Sequence, residues 1–307
     1  MQARILGAID VGSNSIRLMV ARVADHKVEV LATRRITTRM ILGVVDGYLT
    51  GEAIERNAQA IAGLAGEARE KGAEEVLAFG TSAMRDAKNR GALIERTREM
   101  CGVTIQVLSG EEEAQMAYGG CAPEGECGVI DIGGGSSEVL CGRDGQVRFA
   151  ASAQMGAVRL MNRLAGDDSD PVRLIEAARE VVHPVVAPAK SLGERRWLGV
   201  GGTITTLAAM TWGVSKYTPD AIENCPITRE GARAWLDRLC SLTVEQRKAI
   251  PGLPAHRADV IAFGVAILCA VMDEVGAQVV YATDHDNLEG RLSQVGRLSL
   301  HALAAAE

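Results

Sequence analysis

The sequence predicts an α/β protein written twice: two similar domains with mixed sheets, and a cleft between them suited to an anion. Three observations carry this. The phrase Gly7-Ala-Ile-Asp10-Val-Gly12-Ser13-Asn14-Ser15-Ile-Arg17-Leu18 returns as Gly128-Val-Ile-Asp131-Ile-Gly133-Gly134-Gly135-Ser136-Ser137-Glu138-Val-Leu140. In each half, apolar strands precede a helix–strand–helix–strand series. The chain has 307 residues, enough for two cores.

The elements follow in order. Residues 4–10, 16–23 and 27–36 read as antiparallel strands, the last two joined at the polar pair Asp25-His26. A helix is expected from Gly51 to Lys71, because Ile54, Ala58, Ile61, Leu64 and Ala68 recur every three or four residues and Gly72 suits its end. The strand Val76–Phe79 runs into Gly80-Thr-Ser-Ala-Met-Arg85, a helix covers Lys88 to Met100, and the strand Val103–Leu108 meets Ser109, which caps a helix to Gly119. In the second half Asp144-Gly145 is a hairpin turn. A strand 147–151, a helix from Gly156 and a helix from Pro171 to Val186 come next. The strand Trp197–Val200 enters Gly201-Gly202-Thr203 and a helix. Thr228 starts another, and Thr243 with Gln246 has capping-box spacing. The apolar run Val260–Met272, too short to span a bilayer, predicts a buried helix before the strand Val279–Ala282. A final helix is expected from Asn287 to Leu303. The domains are expected at 1–122 and 123–307, hinged at 123–126, with the last helix, about 296–307, packing back on the first domain.

Composition excludes several classes. Hydrophobic residues at 47% and charged residues at 23% are those of a globular protein. A net charge of −6 argues against binding nucleic acid through a broad basic surface. The seven cysteines lack Cys-x-x-Cys spacing, and the five histidines form no ligand pair at helical spacing. No secretory leader, membrane span or zinc site is therefore expected, and a reducing cytoplasm is the expected compartment.

An acid at the end of a buried strand needs a partner or a metal. Consecutive glycines let backbone N–H groups approach an anion. The turns Gly12-Ser13-Asn14-Ser15 and Gly133-Gly134-Gly135-Ser136 are thus candidate phosphate cradles. Two ordinary hairpins remain the plainer alternative. Arg17 and Arg85 suit phosphate oxygens, with a surface salt bridge the alternative for Arg17, and Gly201-Gly202-Thr203 opens a helix N-terminus or is simply a tight strand-to-helix turn. Asp10, Asp131 and Glu138 are the candidate Mg²⁺ carboxylates, with an outward position on an alternating strand the equal alternative for Glu138. Glu111 and Glu112 favour the start of their helix.

These phrases resemble the exopolyphosphatase/guanosine pentaphosphate phosphohydrolase family, of the actin-like ATPase superfamily. Matching stretches include Asp10-Val-Gly-Ser-Asn-Ser-Ile-Arg17, Thr81-Ser-Ala-Met-Arg85, Ser109-Gly-Glu-Glu-Glu113-Ala114, Asp131 to Glu138, Gly201-Gly-Thr203, His256-Arg-Ala-Asp-Val-Ile261 and Asn287-Leu-Glu-Gly290. The resemblance implies the short two-domain form, with duplicated actin-like (ribonuclease H-like) domains. It implies Mg²⁺-dependent release of orthophosphate from inorganic polyphosphate, with Glu113 orienting the attacking water and the turns, Arg17 and Arg85 holding phosphates. Guanosine pentaphosphate hydrolysis is the nearest alternative, then phosphotransfer or non-catalytic sensing of polyphosphate or guanosine penta- and tetraphosphate. A homodimer is the expected assembly. The stretch Thr283-Asp-His-Asp-Asn287 departs from the family phrase.

Overall fold

The computed structural model describes residues 3–13, 15–24, 27–121, 125–193, 195–214, 218–285 and 287–294. They form two compact units, one containing residues up to Gly120 together with 287–294, the other running from Cys121 to His285.

The first unit begins with an antiparallel meander, β1 (Arg4–Val11), β2 (Ser15–Ala24) and β3 (Lys27–Thr37). A small hairpin, β4 (Val44–Val45) and β5 (Tyr48–Leu49), leads to α1 (Gly51–Glu70), β6 (Glu75–Gly80), α2 (Ser82–Asp86), α3 (Arg90–Cys101), β7 (Ile105–Val107) and α4 (Gly110–Cys121). Its sheet has the order β3-β2-β1-β6-β7, with β6 parallel to both β1 and β7. Alternation sorts the strand residues between the faces. Ile9, Val11, Ile16, Leu18 and Val20 pack with Ile61 and Leu64 of α1 and Leu93 of α3. Leu6, Ala8, Met19 and Ala21 pack with Met116 of α4 and with Leu288 and Leu292 of the helical segment 287–294. That segment lies close on α4, since a Cβ on Gly290 would stand 2.0 Å from the Met116 carbonyl oxygen. One irregularity matters below. Val20 faces Ala32 while Ala21 faces Val30, so Leu31 is an extra residue in β3.

The second unit repeats the plan. β8 (Glu126–Ile132), β9 (Ser137–Arg143) and β10 (Gln146–Ala153) form the meander, followed by α5 (Ala157–Arg163), α6 (Pro171–Val186), β11 (Arg196–Val200) and α7 (Gly201–Trp212). Then come β12 (Pro226–Thr228), α8 (Arg229–Cys240), α9 (Val244–Arg247), α10 (Ile261–Val275) and β13 (Val279–Ala282). The order is β10-β9-β8-β11-β13-β12, with β8, β11 and β13 parallel. Both sheets carry an antiparallel trio of strands and a parallel extension beyond it. The apolar run is α10, buried almost all round against α5, α6, α7 and α8. Arg247, 1% exposed, ties this layer together by donating to Asp168, to the Leu239 carbonyl at 2.8 Å and to the Ala258 carbonyl at 3.2 Å.

Local signals behave as their chemistry requires. Thr50 accepts from the Ala53 N–H at the start of α1, and Thr243 with Gln246 makes a full capping box. The helix expected from Lys88 begins instead at Arg90, and α2 is a separate short helix before it. The hairpin β4–β5 and the strand β12 are additions, and β7 is shorter than the run Val103–Leu108. Residues 295–307, where the last helix is expected to continue, and residues 123–124 of the expected hinge lie outside the described residues. None of the seven cysteines is in a disulfide, and burial pushes the Cys269 thiol up to about 12. These are packing residues rather than nucleophiles. No described helix is long and apolar enough to cross a membrane.

Candidate active site

The two glycine turns are built alike. The Gly12 N–H donates to the Ser15 carbonyl at 3.2 Å, and the Gly133 N–H donates to the Ser136 carbonyl at 3.0 Å. Each turn joins strands in equivalent register, pairing Asp10 with Arg17 and Asp131 with Glu138. Side chains directly opposite on neighbouring strands leave from one face. The same backbone therefore presents an acid beside a base in the first unit and an acid beside an acid in the second.

In the first unit Asp10 is 5% exposed, and Arg17 donates to its Oδ2 through Nη2 at 2.5 Å and Nε at 3.2 Å. The Ser13 hydroxyl stands 3.5 Å from that of Ser82, at the start of α2. Gly80 makes that strand-to-helix corner possible, since a Cβ there would meet Met84 Cγ at 2.6 Å. From α2, Arg85 Nη1 reaches the Leu108 carbonyl at 3.1 Å and Glu113 Oε2 at 2.5 Å. Glu113 sits in the first turn of α4, which Ser109 and Glu112 cap reciprocally. Ser109 Oγ accepts from the Glu112 N–H at 3.1 Å, and Glu112 accepts from the Ser109 N–H at 2.8 Å. That bond holds Glu112 below the usual carboxylate range. Glu113 is shifted the other way. Burial raises its pKa against the opposing pull of Arg85, and the charge of Asp10 adds to the rise. Asp10, Arg17, Arg85 and Glu113 thus form one electrostatic group. Asn14 lies outside the described residues.

In the second unit the carbonyls of Gly133 and Gly134 accept from the first N–H groups of α5, at 2.9 Å from Ala157 and 3.0 Å from Val158. Gly156 must be glycine, because a Cβ would lie 2.4 Å from the Gly134 carbonyl carbon. Asp131 Oδ1 lies against the backbone of Gly201, where a Cβ would come within 2.2 Å and where φ is +83°. The N-cap residue of α7, Val200, makes no side-chain cap bond, and a helix start is a place that favours an anion. Thr203 is 5% exposed and packs on Gly264, whose Cβ would meet Thr203 Oγ1 at 2.4 Å. Glu138 accepts from the Ser152 hydroxyl at 2.8 Å.

Among the described residues no cluster of three or more His, Cys, Asp or Glu could hold a metal. Mg²⁺ needs fewer protein ligands, since it keeps waters and takes phosphate oxygens. Asp131 and Glu138 face each other across β8 and β9 and are the two carboxylates that would suit such a site. Asp10 is already balanced by Arg17.

One residue was not singled out from the sequence. Arg257 lays its guanidinium over Gly202, where a Cβ would fall 1.9 Å from Nη1. It brings positive charge to the N-terminus of α7.

Comparison with known proteins decides the family. The model of the Ppx/GppA phosphatase family matches residues 19–292. The chain belongs to the Ppx/GppA phosphatase family. Among its Ppx/GppA relatives, exopolyphosphatase 2 of Mycobacterium tuberculosis is 32% identical over 93% of this chain and 96% of its own length. The guanosine-5'-triphosphate,3'-diphosphate pyrophosphatase of Vibrio vulnificus is 30% identical over 88% of this chain, which spans only 54% of that protein. The crystal structure of the Aquifex aeolicus Ppx/GppA family member superposes with a TM-score of 0.82 at 28% identity, covering 95% of this chain and 97% of that one.

Proposed function

We propose that this chain is a Mg²⁺-dependent exopolyphosphatase that removes orthophosphate from the end of inorganic polyphosphate. The observation that carries the proposal is the half-buried Glu113 carboxylate, paired with Arg85 and within the field of Asp10. The full-length match to an exopolyphosphatase supports it.

Glu113 orients a water and takes its proton as the new oxygen–phosphorus bond forms in line with the breaking bridge bond. The shortened chain leaves with the bridging oxygen. Arg85 and Arg17 neutralise phosphate oxygens, and Asp10 holds Arg17 in place. The turn at Gly12–Ser15 supplies backbone donors. In the second unit the turn at Gly133–Ser136, the Gly201–Gly202 end of α7 and Arg257 are further phosphate donors. Asp131 and Glu138 would hold Mg²⁺, which supplies Lewis-acid neutralisation of phosphate oxygens. Work as a homodimer in the cytoplasm completes the reading, supported by the common symmetry of soluble enzymes and by seven cysteines that form no disulfide.

The test is phosphate release from long polyphosphate, tripolyphosphate and guanosine pentaphosphate, with and without Mg²⁺. Release from polyphosphate that needs Mg²⁺ and no acceptor is the expected result. Turnover of guanosine pentaphosphate alone would transfer the reading to that substrate. A strict acceptor requirement would make the chain a phosphotransferase, and tight binding without turnover would make it a sensor.

A further inference from the structure

The row of charges in the first unit continues past Arg17. On its other side Arg17 faces Arg35 of β3. Asp10, Arg17 and Arg35 therefore form a ladder on one sheet face across β1, β2 and β3. Arg34 points to the other face, where its Nε meets Glu67 of α1 at 3.2 Å. Two arginines in direct opposition repel, and Arg35 is exposed with no salt bridge among the described residues. Asp10 balances Arg17 and Glu113 balances Arg85, whereas the charge of Arg35 stands uncompensated.

Four residues further on, Arg39 is also exposed and has no salt bridge among the described residues. Its φ is +48°, left-handed backbone that strains a non-glycine residue. The segment is held, because Arg56 Nε donates to the Thr38 carbonyl at 3.0 Å. A second exposed cation thus follows Arg35 in the chain, just past the end of β3.

We propose that Arg35, with Arg39 beside it, binds the phosphates of a polyphosphate chain beyond those engaged near Glu113, so that the open edge of this sheet sets a preference for long chains. This rests on the polyphosphatase reading. Arg35 lies two strand spacings, roughly 10 Å, from Asp10. β3 is an edge strand, so the track opens without a sheet neighbour to limit chain length. A short substrate exhausts its phosphates on the inner contacts.

Arg35→Gln and Arg35→Lys test the proposal, assayed on long-chain polyphosphate and on tripolyphosphate at fixed Mg²⁺ and salt. For Arg35→Gln the ratio of kcat/KM for long chains to that for tripolyphosphate should fall about tenfold, through KM, as for loss of one charge-assisted contact. Arg35→Lys should recover most of it, which a general loss of structure would not allow. An equal fall on both substrates, or no change on either, overturns the proposal. If the unaltered chain releases no phosphate, the polyphosphatase reading fails separately, and the proposal is read from binding of labelled long-chain polyphosphate with tripolyphosphate as competitor. Length-dependent affinity that Arg35→Gln abolishes then supports it, and equal affinities of the two proteins overturn it.

Discussion

Replacing Glu113 by glutamine separates its chemistry from its place in the fold. Glutamine keeps an oxygen for Arg85 Nη1, which the carboxylate now meets at 2.5 Å, and removes the basicity. A positioned base contributes about 100- to 10,000-fold, so at 1.36 kcal/mol per decade the barrier should rise by about 3–5 kcal/mol. Stability should change far less. A hydrogen bond to a charged group is worth about 1.5–3 kcal/mol and a neutral one about 1, so the loss is about 1 kcal/mol. Relief of burying the charge offsets part of that loss, since burial is the main cause of the raised Glu113 pKa. The expected signature is a kcat lowered by at least about 100-fold with Tm within about 4 °C. The pH profile adds an independent reading. The base acts ionised, and its pKa lies above the ordinary value of 4.5, so kcat/KM should begin to fall on the acid side while the pH is still above 4.5. That limb should vanish from the residual activity of Glu113→Gln. Phosphate release and a thermal melt on the same samples decide the matter. A folded Glu113→Gln keeping more than about a tenth of wild-type kcat, or the same acid limb, would refute the assignment.

Further perturbations follow from single contacts. Gly201→Ala meets both a φ of +83° and Asp131 Oδ1 at 2.2 Å, so it should cost more than about 1 kcal/mol in urea unfolding and lower activity further by displacing Asp131. Arg247→Ala leaves Asp168 without its buried partner and should lower the unfolding free energy by about 3–5 kcal/mol, read from urea unfolding. Glu138→Gln removes one of the facing carboxylates. It should raise the Mg²⁺ concentration for half-maximal phosphate release by at least about tenfold, and an unchanged Mg²⁺ titration would count against Glu138 as a ligand.

Much of the fold was legible because its signals are local. The strand-end acids, the glycine turns, the capping residues and the apolar helix each announce themselves within a dozen residues. Short elements escaped for the opposite reason. In the β4–β5 hairpin each strand is only two residues long, leaving no alternation to read, although Asp46 and Gly47 carry the positive φ values of a tight hairpin turn. Arg257 had no local signal, because only tertiary packing lays it over Gly202. Arg35 was hidden by a more specific device. Pairing outward from the turn between β2 and β3 runs Ala24 with Lys27, Val23 with Val28, Arg22 with Glu29 and Ala21 with Val30. Continued without interruption, it would set Arg34 opposite Arg17. The extra residue Leu31 shifts the register, so Arg35 stands there and Arg34 turns to Glu67.

The same logic explains how a duplicated motif supports unlike roles. At the residue seven places after the strand-end acid, antiparallel pairing forces the two side chains together, as Asp10 with Arg17 and as Asp131 with Glu138. Opposite charges satisfy each other, so the first pair can hold a guanidinium in a fixed orientation while Asp10 is 5% exposed. Like charges cannot satisfy each other, so the second pair draws its partners from elsewhere, as Glu138 does from the Ser152 hydroxyl. One substitution at an equivalent register position is thus enough to turn a neutral ion pair into a candidate metal seat while the Gly12 and Gly133 turns keep the same hydrogen bond. This is why the repeat could be recognised from its glycines, and why the roles of its acids depend on the residue across the ladder rather than on the glycines.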